Sequence, residues 1–297
     1  MNLSVKANAG GRGRALRRLA LLLALTALLS HALVLGASAA PAPSFPQGSQ
    51  ITRVYLDGKE ILVGECALIN SVTYVPLRKF CNLFDDCTVT WNGATNTATV
   101  KTDNLTIYAQ TGALYITANG HYFYTVEEIL NLGGTLYVPV RPLTRAFNAT
   151  LEWNATARAG EITSSAGIPA VSQASYNADD VYWLSRIISA ESGGEPFRGQ
   201  IAVGNVVLNR KASTQYPNTI YGVIFDRKYG TQFSPVSYGT IYNKPTASSV
   251  IAAKICLEGY TLSDEILFFY NPRIATSHWI DRARPYAFTI GNHRFYK

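Results

Sequence analysis

The chain has 297 residues, of which 47% are hydrophobic and 15% charged. That balance excludes an intrinsically disordered chain and leaves room for two or three folded cores. Of the 26 basic residues, Lys6, Arg12, Arg14, Arg17 and Arg18 sit in an acid-free start. The remaining 21 nearly balance 19 acids, so the formal charge of +7 gives little support to nucleic-acid binding and none is expected.

Residues 1–40 read as a secretory signal peptide. An arginine-bearing segment precedes an apolar core from Leu19 to Leu35, and Ala37-Ser38-Ala39 stands before Ala40-Pro41. Thr26, Ser30 and His31 interrupt the apolar run, which favours cleavage over a membrane anchor. No later segment is apolar for long enough to span a bilayer. The expected location is therefore secreted or wall-associated, with no stable membrane span after cleavage. Cys66, Cys81, Cys87 and Cys256 are open to oxidation there, and any disulfide is expected to be structural. They form no CxxC pair or Cys/His cluster, so no metal and no cofactor is expected.

Residues 41–50 read as a Pro-rich linker, and beyond it the chain repeats itself. Thr73-Tyr74-Val75-Pro76-Leu77-Arg78 returns as Leu136-Tyr137-Val138-Pro139-Val140-Arg141, and Trp91-Asn92 returns as Trp153-Asn154. Two copies of one unit are expected, over 51–102 and 103–163. Each has short alternating strands such as Arg53–Leu56, Thr97–Val100 and Leu114–Ile116, and a short helix near Leu77–Phe84 or Pro142–Phe147. Each proline suits the first position of its helix. Each tryptophan is expected to pack as core. The aromatic run from Tyr108 to Tyr124 either stacks on sugar rings or packs its strands. The motif resembles the copper amine oxidase N-terminal domain of exported bacterial proteins. His121 alone gives no copper set, so the unit is expected to contact the wall or to act as a spacer.

Ser164–Ser175 reads as a small-residue linker, and the last domain covers 176–297. A helix begins near Asp179 or Asp180 and carries Val181, Leu184, Ile187 and Ile188 on one stripe. Glu191 follows at helical spacing from Leu184 and Ile187, so it points with the buried residues. Burial raises a carboxyl pKa, which suits a proton donor near neutral pH. The same spacing also fits a buried glutamate satisfied by the backbone or by an arginine. Gly193 and Gly194 give a sharp turn, and Glu195 is the competing acid before Pro196. Pro196–Leu208 is apolar almost all round, as in a buried helix. Thr219–Phe225 and Ala247–Leu257 are further helices, the latter capped by Thr246 or Ser248 and closed by Gly259. Ile266–Tyr270, Ala287–Ile290 and His293–Tyr296 are extended.

The block AESGGEPFRGQIAVGNVVLNR, with PNTIYGVIF, QFSPV, FFYNPRIATSHW and IGNHRFYK, resembles the cell wall hydrolase family of the SleB/CwlJ, spore cortex-lytic, type. The resemblance covers Tyr176 to Lys297. It implies a lysozyme-like domain with Glu191 as acid/base. It also implies that Ser192, Phe233, Tyr238, Tyr270, Asn271 and Trp279 contact peptidoglycan glycan strands, whether vegetative wall or spore cortex. The implied reaction is lytic transglycosylation of the bond between N-acetylmuramic acid and N-acetylglucosamine. Two other readings stay open: a wall-binding protein that does not cut, and a zinc amidase resting on His278 and His293. The expected fold class is α+β multidomain, with a β-rich tandem-repeat N-terminal part and a mainly helical C-terminal domain.

Overall fold

A computed structural model describes residues 44–165, 170–228 and 230–297 of the chain. The signal peptide expected at 1–40 lies outside the described residues. Short β-branched runs broken by Asn, Asp and Gly build the N-terminal half. Strands β1 (Gln50–Ile51), β2 (Arg53–Leu56), β3 (Lys59–Ile61), β4 (Ala67–Ile69) and β5 (Val72–Pro76) lead into helix α1 (Leu77–Cys81). The first copy closes with the hairpin β6 (Thr88–Asn92) and β7 (Thr97–Lys101). The second copy runs through β8 (Thr106–Gln110), β9 (Tyr115–Ala118), β10 (His121–Tyr124), β11 (Leu130–Leu132) and β12 (Thr135–Pro139). Helix α2 (Val140–Ala146) follows, then β13 (Thr150–Asn154) and β14 (Ala159–Thr163). Asp57-Gly58 and Asn119-Gly120 occupy equivalent hairpin turns, all four with positive φ, as a type I′ turn requires.

The two copies do not fold as separate units. In the first sheet, ordered β1-β4-β5-β12-β11, β5 pairs antiparallel with β12 and Val75 faces Val138. These two valines are equivalent in the repeat. A local two-fold axis perpendicular to the sheet therefore relates the copies at that pair. The closing hairpin of the second copy returns to the start of the chain, where β14 pairs in parallel with β2. One core serves both copies, with Phe80, Val75, Val138, Leu143 and Phe147 buried, and Phe84 stacked on Phe147 at 4.5 Å. Pro76 and Pro139 sit one residue earlier than expected, capping the helices while still ending their strands. Trp91 and Trp153 are each 48% exposed, so the expectation that they are core is corrected. Both stand on outward-facing hairpins, β6 and β13, whose residues are mostly solvated.

The C-terminal half begins with α3 (Ala178–Ser192) and α4 (Phe197–Ala212). Asn177 caps α3, its side chain accepting from the backbone N–H of Asp179 and Asp180. The two aspartates occupy the first turn, where the helix dipole favours them, rather than the cap itself. Next come α5 (Ile220–Ile224), α6 (Ser234–Tyr238), a 3₁₀ turn at Thr240–Tyr242 and α7 (Ala247–Leu257), capped by Thr246. Strand β15 (Phe268–Tyr270), helix α8 (Ile280–Ala283) and strands β16 (Tyr286–Ile290) and β17 (His293–Tyr296) complete the chain. The three strands form one sheet in the order β15-β17-β16.

Helix α4 is the buried axis of this half. A Cβ on Gly204 would lie 2.7 Å from Cys256 Sγ and 2.9 Å from Ile188 Cδ1, so glycine lets α3 and α7 close on α4. The polar residues of α4 serve the loop from 260 to 267. Asn205 donates to Tyr260 O at 2.8 Å and accepts from Leu262 N at 2.9 Å. Asn209 donates to Ser263 O and Ile266 O, both at 2.9 Å. Buried amides are tolerated because each replaces a lost water bond.

The two halves meet along β10, α7 and the start of α4. Tyr124 lies 4.6 Å from the Tyr260 ring and 6.3 Å from Phe197, and Tyr115 is 6.3 Å from Phe197. These tyrosines thus pack the seam. His121 Nδ1 is 2.8 Å from Glu258 Oε1, the Tyr176 hydroxyl also bonds that carboxylate, and Arg145 donates to Glu258 O at 2.9 Å. The described end of the expected 164–175 linker is docked. Val171 N donates to Ala146 O at 3.0 Å, and Ala174 N donates to Asn119 O at 2.9 Å. All four cysteines are free thiols, and burial pushes those of Cys66, Cys81 and Cys256 up, which leaves them poorly nucleophilic.

Candidate active site

Glu191 sits in the last turn of α3, one helical turn beyond Ile187 and Ile188, which are fully buried. The side chain is half-buried. Among the described residues no hydrogen bond reaches its carboxylate. Burial pushes its pKa up, the positive charge of Arg210 pulls it down, and burial wins: the carboxyl titrates at about 7. Near neutral pH it therefore holds its proton about half the time.

Arg210, in the last turn of α4, is 5% exposed. Its Nε donates to Leu267 O at 2.8 Å, while Nη1 is buried with no partner among the described residues. The guanidinium carbon lies 5.1 Å from the Phe233 ring, 5.2 Å from Tyr216 and 5.6 Å from Phe268. Three aromatic rings thus hold a cation that lacks a full set of hydrogen bonds. Burial lowers its pKa, opposed by Tyr216, Asp226 and Glu191. An arginine starts far enough above neutrality to stay charged. Sequence alone leaves Arg210, like Arg282, Arg284 and Arg294, equally open to a contact with peptidoglycan carboxylates and to a solvated position. Nothing in short-range spacing brings residues 191 and 210 together, because the α3–α4 hairpin does so.

Gly193 and Gly194 carry the turn from α3 into α4 without entering the left-handed region. Gly193 continues helical geometry, and a Cβ there would meet Ser189 O at 2.6 Å. Around Gly194 there is open space. Ser192 is 2% exposed and donates to Ile188 O at 2.8 Å. It is back-bonded to its own helix, so the expected contact with substrate is not available in this arrangement. Phe233 is also buried at 2% and lies under Arg210, where it supports the cation and forms no sugar platform. Tyr238, at the end of α6, is 80% exposed, and among the described residues nothing ties it to Glu191.

The other expected positions gather on and around β15. Trp279 is 50% exposed and stands edge-on to Phe268 at 6.4 Å, which in turn flanks Arg210. This chain of contacts links the exposed indole to the cation beside Glu191. The Tyr270 hydroxyl donates to Asp281 Oδ2 at 2.7 Å and lies 3.2 Å from His278 Nδ1. Hydrogen bonds from Tyr270 and Tyr296 hold Asp281 below the usual carboxylate range. Asn271 Oδ1 accepts from Arg273 N at 3.0 Å, closing a local turn and leaving its amide N–H₂ available.

Glu195 has a different chemistry. Burial works against its charge, but the Asn292 backbone and amide bonds, both 2.9 Å, together with His293 and Arg273, bring its pKa below the ordinary value. It stays ionised and tied to the turn at Gly291, where a Cβ would fall 2.0 Å from its Oε2. His293 is buried against Phe269, and burial lowers its pKa. Among the described residues no group of three or more His, Cys, Asp and Glu is placed to hold a metal ion.

Two family models match the chain. Residues 194–296 match the Cell Wall Hydrolase family. Residues 55–162 match the Copper amine oxidase N-terminal domain. Glu191 lies three residues before the Cell Wall Hydrolase match and outside it. The chain is 38% identical over 122 residues to a spore cortex-lytic enzyme of Bacillus cereus, across 41% of this chain and 46% of that protein. It is 35% identical over 120 residues to a spore cortex-lytic enzyme of Bacillus subtilis, across 40% and 38%. The chain thus spans less than half the length of these curated relatives. Among solved structures, the catalytic domain of the germination-specific lytic transglycosylase SleB from Bacillus anthracis is 38% identical. That alignment has a TM-score of 0.38 and covers 41% of this chain and 97% of that domain.

Proposed function

We propose that the chain is an exported peptidoglycan-lytic enzyme that cuts the bond between N-acetylmuramic acid and N-acetylglucosamine, with Glu191 as the single acid/base. The observation that carries this reading is the Glu191 carboxyl: half-buried, free of hydrogen bonds among the described residues, and titrating at about 7. A glycosidic oxygen is a poor leaving group and needs a proton as its bond to C1 breaks and the sugar gains oxocarbenium character. The neutral Glu191 supplies that proton. Its carboxylate then takes the proton of the muramoyl C6 hydroxyl as that oxygen bonds to C1. An anhydro end results, Glu191 is reprotonated and no water is consumed.

The positive charge of Arg210 steadies the carboxylate between the two proton transfers without forming an ion pair that would hold it ionised. Trp279 offers an apolar face for pyranose C–H groups, and the Asn271 amide can meet an acyl oxygen. The relatives named for spore cortex lysis support a wall glycan as substrate. Export, a role in spore cortex breakdown, and domain borders at 51–163 and 176–297 are part of the same proposal. The test is loss of turbidity in a suspension of purified peptidoglycan. The parent chain clears it and Glu191→Gln does not. Clearing by a folded Glu191→Gln protein at the parent rate removes Glu191 from the chemistry.

A further inference from the structure

Outside the Glu191 site, two of the cavities along the β-rich half, one of about 440 Å³ that also reaches Tyr260 and one of about 200 Å³, share a common construction. The wall of the smaller is repeated in the larger, which is extended by Leu68, Tyr124, Thr125, Val126, Arg145 and Tyr260. Each residue lining the smaller cavity has its repeat counterpart lining the larger: Pro76, Leu77 and Arg78 correspond to Pro139, Val140 and Arg141, and Trp91 corresponds to Trp153. The far wall comes from the other copy. Gly134-Thr135-Leu136 closes the first site, and the equivalent Ser71-Val72-Thr73 closes the second. Neither site exists until β5 and β12 pair. The two-fold axis at Val75 and Val138 stands perpendicular to the sheet, so both sites open on one face.

Each site holds an indole that is 48% exposed and an exposed arginine at a helix start. Among the described residues neither Arg78 nor Arg141 has a carboxylate partner within ion-pair distance. Thr90 in the first site is replaced by Glu152 in the second, whose lining also includes Arg145. A half-exposed indole in the same cavity as a guanidinium with no carboxylate partner fits a ring with an apolar face and a nearby carboxylate. Both tryptophans stand on solvated hairpins at equivalent places in the repeat, so the exposed indole recurs in each copy.

We propose that these twin Trp–Arg cavities bind an acidic glycan, the carboxylate-bearing strands of peptidoglycan, and hold the enzyme on its insoluble substrate. The choice of peptidoglycan rests on the proposed wall substrate; the carbohydrate-plus-carboxylate chemistry rests on the cavities. The two-fold axis presents the sites in opposite senses. They therefore take two strand segments running in opposite directions, and the gain is avidity rather than one extended groove.

The test uses the full chain carrying Glu191→Gln, co-sedimented with insoluble peptidoglycan and, separately, with chitin, a glycan without carboxylates. Added Trp91→Ala or Trp153→Ala should weaken peptidoglycan binding several-fold, and the pair together by about tenfold or more, as loss of a second tethered site predicts. Arg78→Gln with Arg141→Gln should weaken binding to peptidoglycan and leave chitin binding unchanged. Cutting of short soluble fragments by the chain with Glu191 intact should not change in either pair. A folded double tryptophan variant that binds within twofold of its parent overturns the proposal. Should that variant not fold, unaltered peptidoglycan binding by the arginine pair overturns it instead. Loss of binding with cutting absent in every form sinks the catalytic reading and leaves this one standing.

Discussion

Glu191→Gln should stabilise the protein above neutral pH while abolishing its activity. The side chain titrates at about 7 when folded, against 4.5 for an ordinary glutamate. A carboxyl whose pKa is raised by folding binds its proton more tightly in the native state. Its cost is absent below the unfolded pKa and grows as pH rises through the folded one. The difference amounts to about 3 kcal/mol at pH 8, under about 1 kcal/mol at pH 5, and almost nothing at pH 4. Glutamine is near in shape and never ionises, so the variant escapes this cost. For a folded body of this size the pH 8 gap corresponds to a melting temperature higher by about 5–10 °C. Melting both proteins from pH 4 to pH 8 measures it. A gap that does not grow with pH, or a variant less stable at pH 8, refutes the idea that burial tunes this acid.

Removal of the opposing charge by Arg210→Met should raise the Glu191 pKa further. The alkaline limb of the pH–rate profile then moves up by about one unit, read from kcat/KM between pH 6 and 9. Gly204→Ala places a methyl 2.7 Å from Cys256 Sγ and 2.9 Å from Ile188 Cδ1. It should cost about 1–3 kcal/mol of stability in a denaturant titration without altering the pH profile. Glu195→Gln weakens the clasp on Asn292 and should cost about 1 kcal/mol at neutral pH. Because folding lowers the Glu195 pKa, that cost fades as pH falls below 4.5, and cleavage persists throughout.

The α+β organisation was legible because its signals are local. Helical spacing from Leu184 and Ile187 placed Glu191 toward the core, and Thr246 and Gly259 marked the two ends of α7. The α3 cap was misplaced by two or three residues because Asn177, Asp179 and Asp180 all offer cap chemistry and only the backbone path selects among them. The repeat predicted two equal copies but not their exchange of strands, since the pairing of β14 with β2 joins residues a hundred positions apart. The exposure of Trp91 and Trp153 follows from that exchange. Period-two alternation says which residues share a face, not which face the partner copy covers. Ser192 and Phe233 were read as site residues from resemblance, and their burial comes from the approach of neighbouring helices and of Arg210. Arg210 itself carries no sequence mark, because the same residue type near a helix end is usually solvated.

The most direct measurement is the mass of the fragments released from purified peptidoglycan. The account predicts muropeptides ending in 1,6-anhydromuramic acid, formed by the parent chain and absent with Glu191→Gln. Reducing muramic acid ends formed at the same rate by both proteins would contradict it.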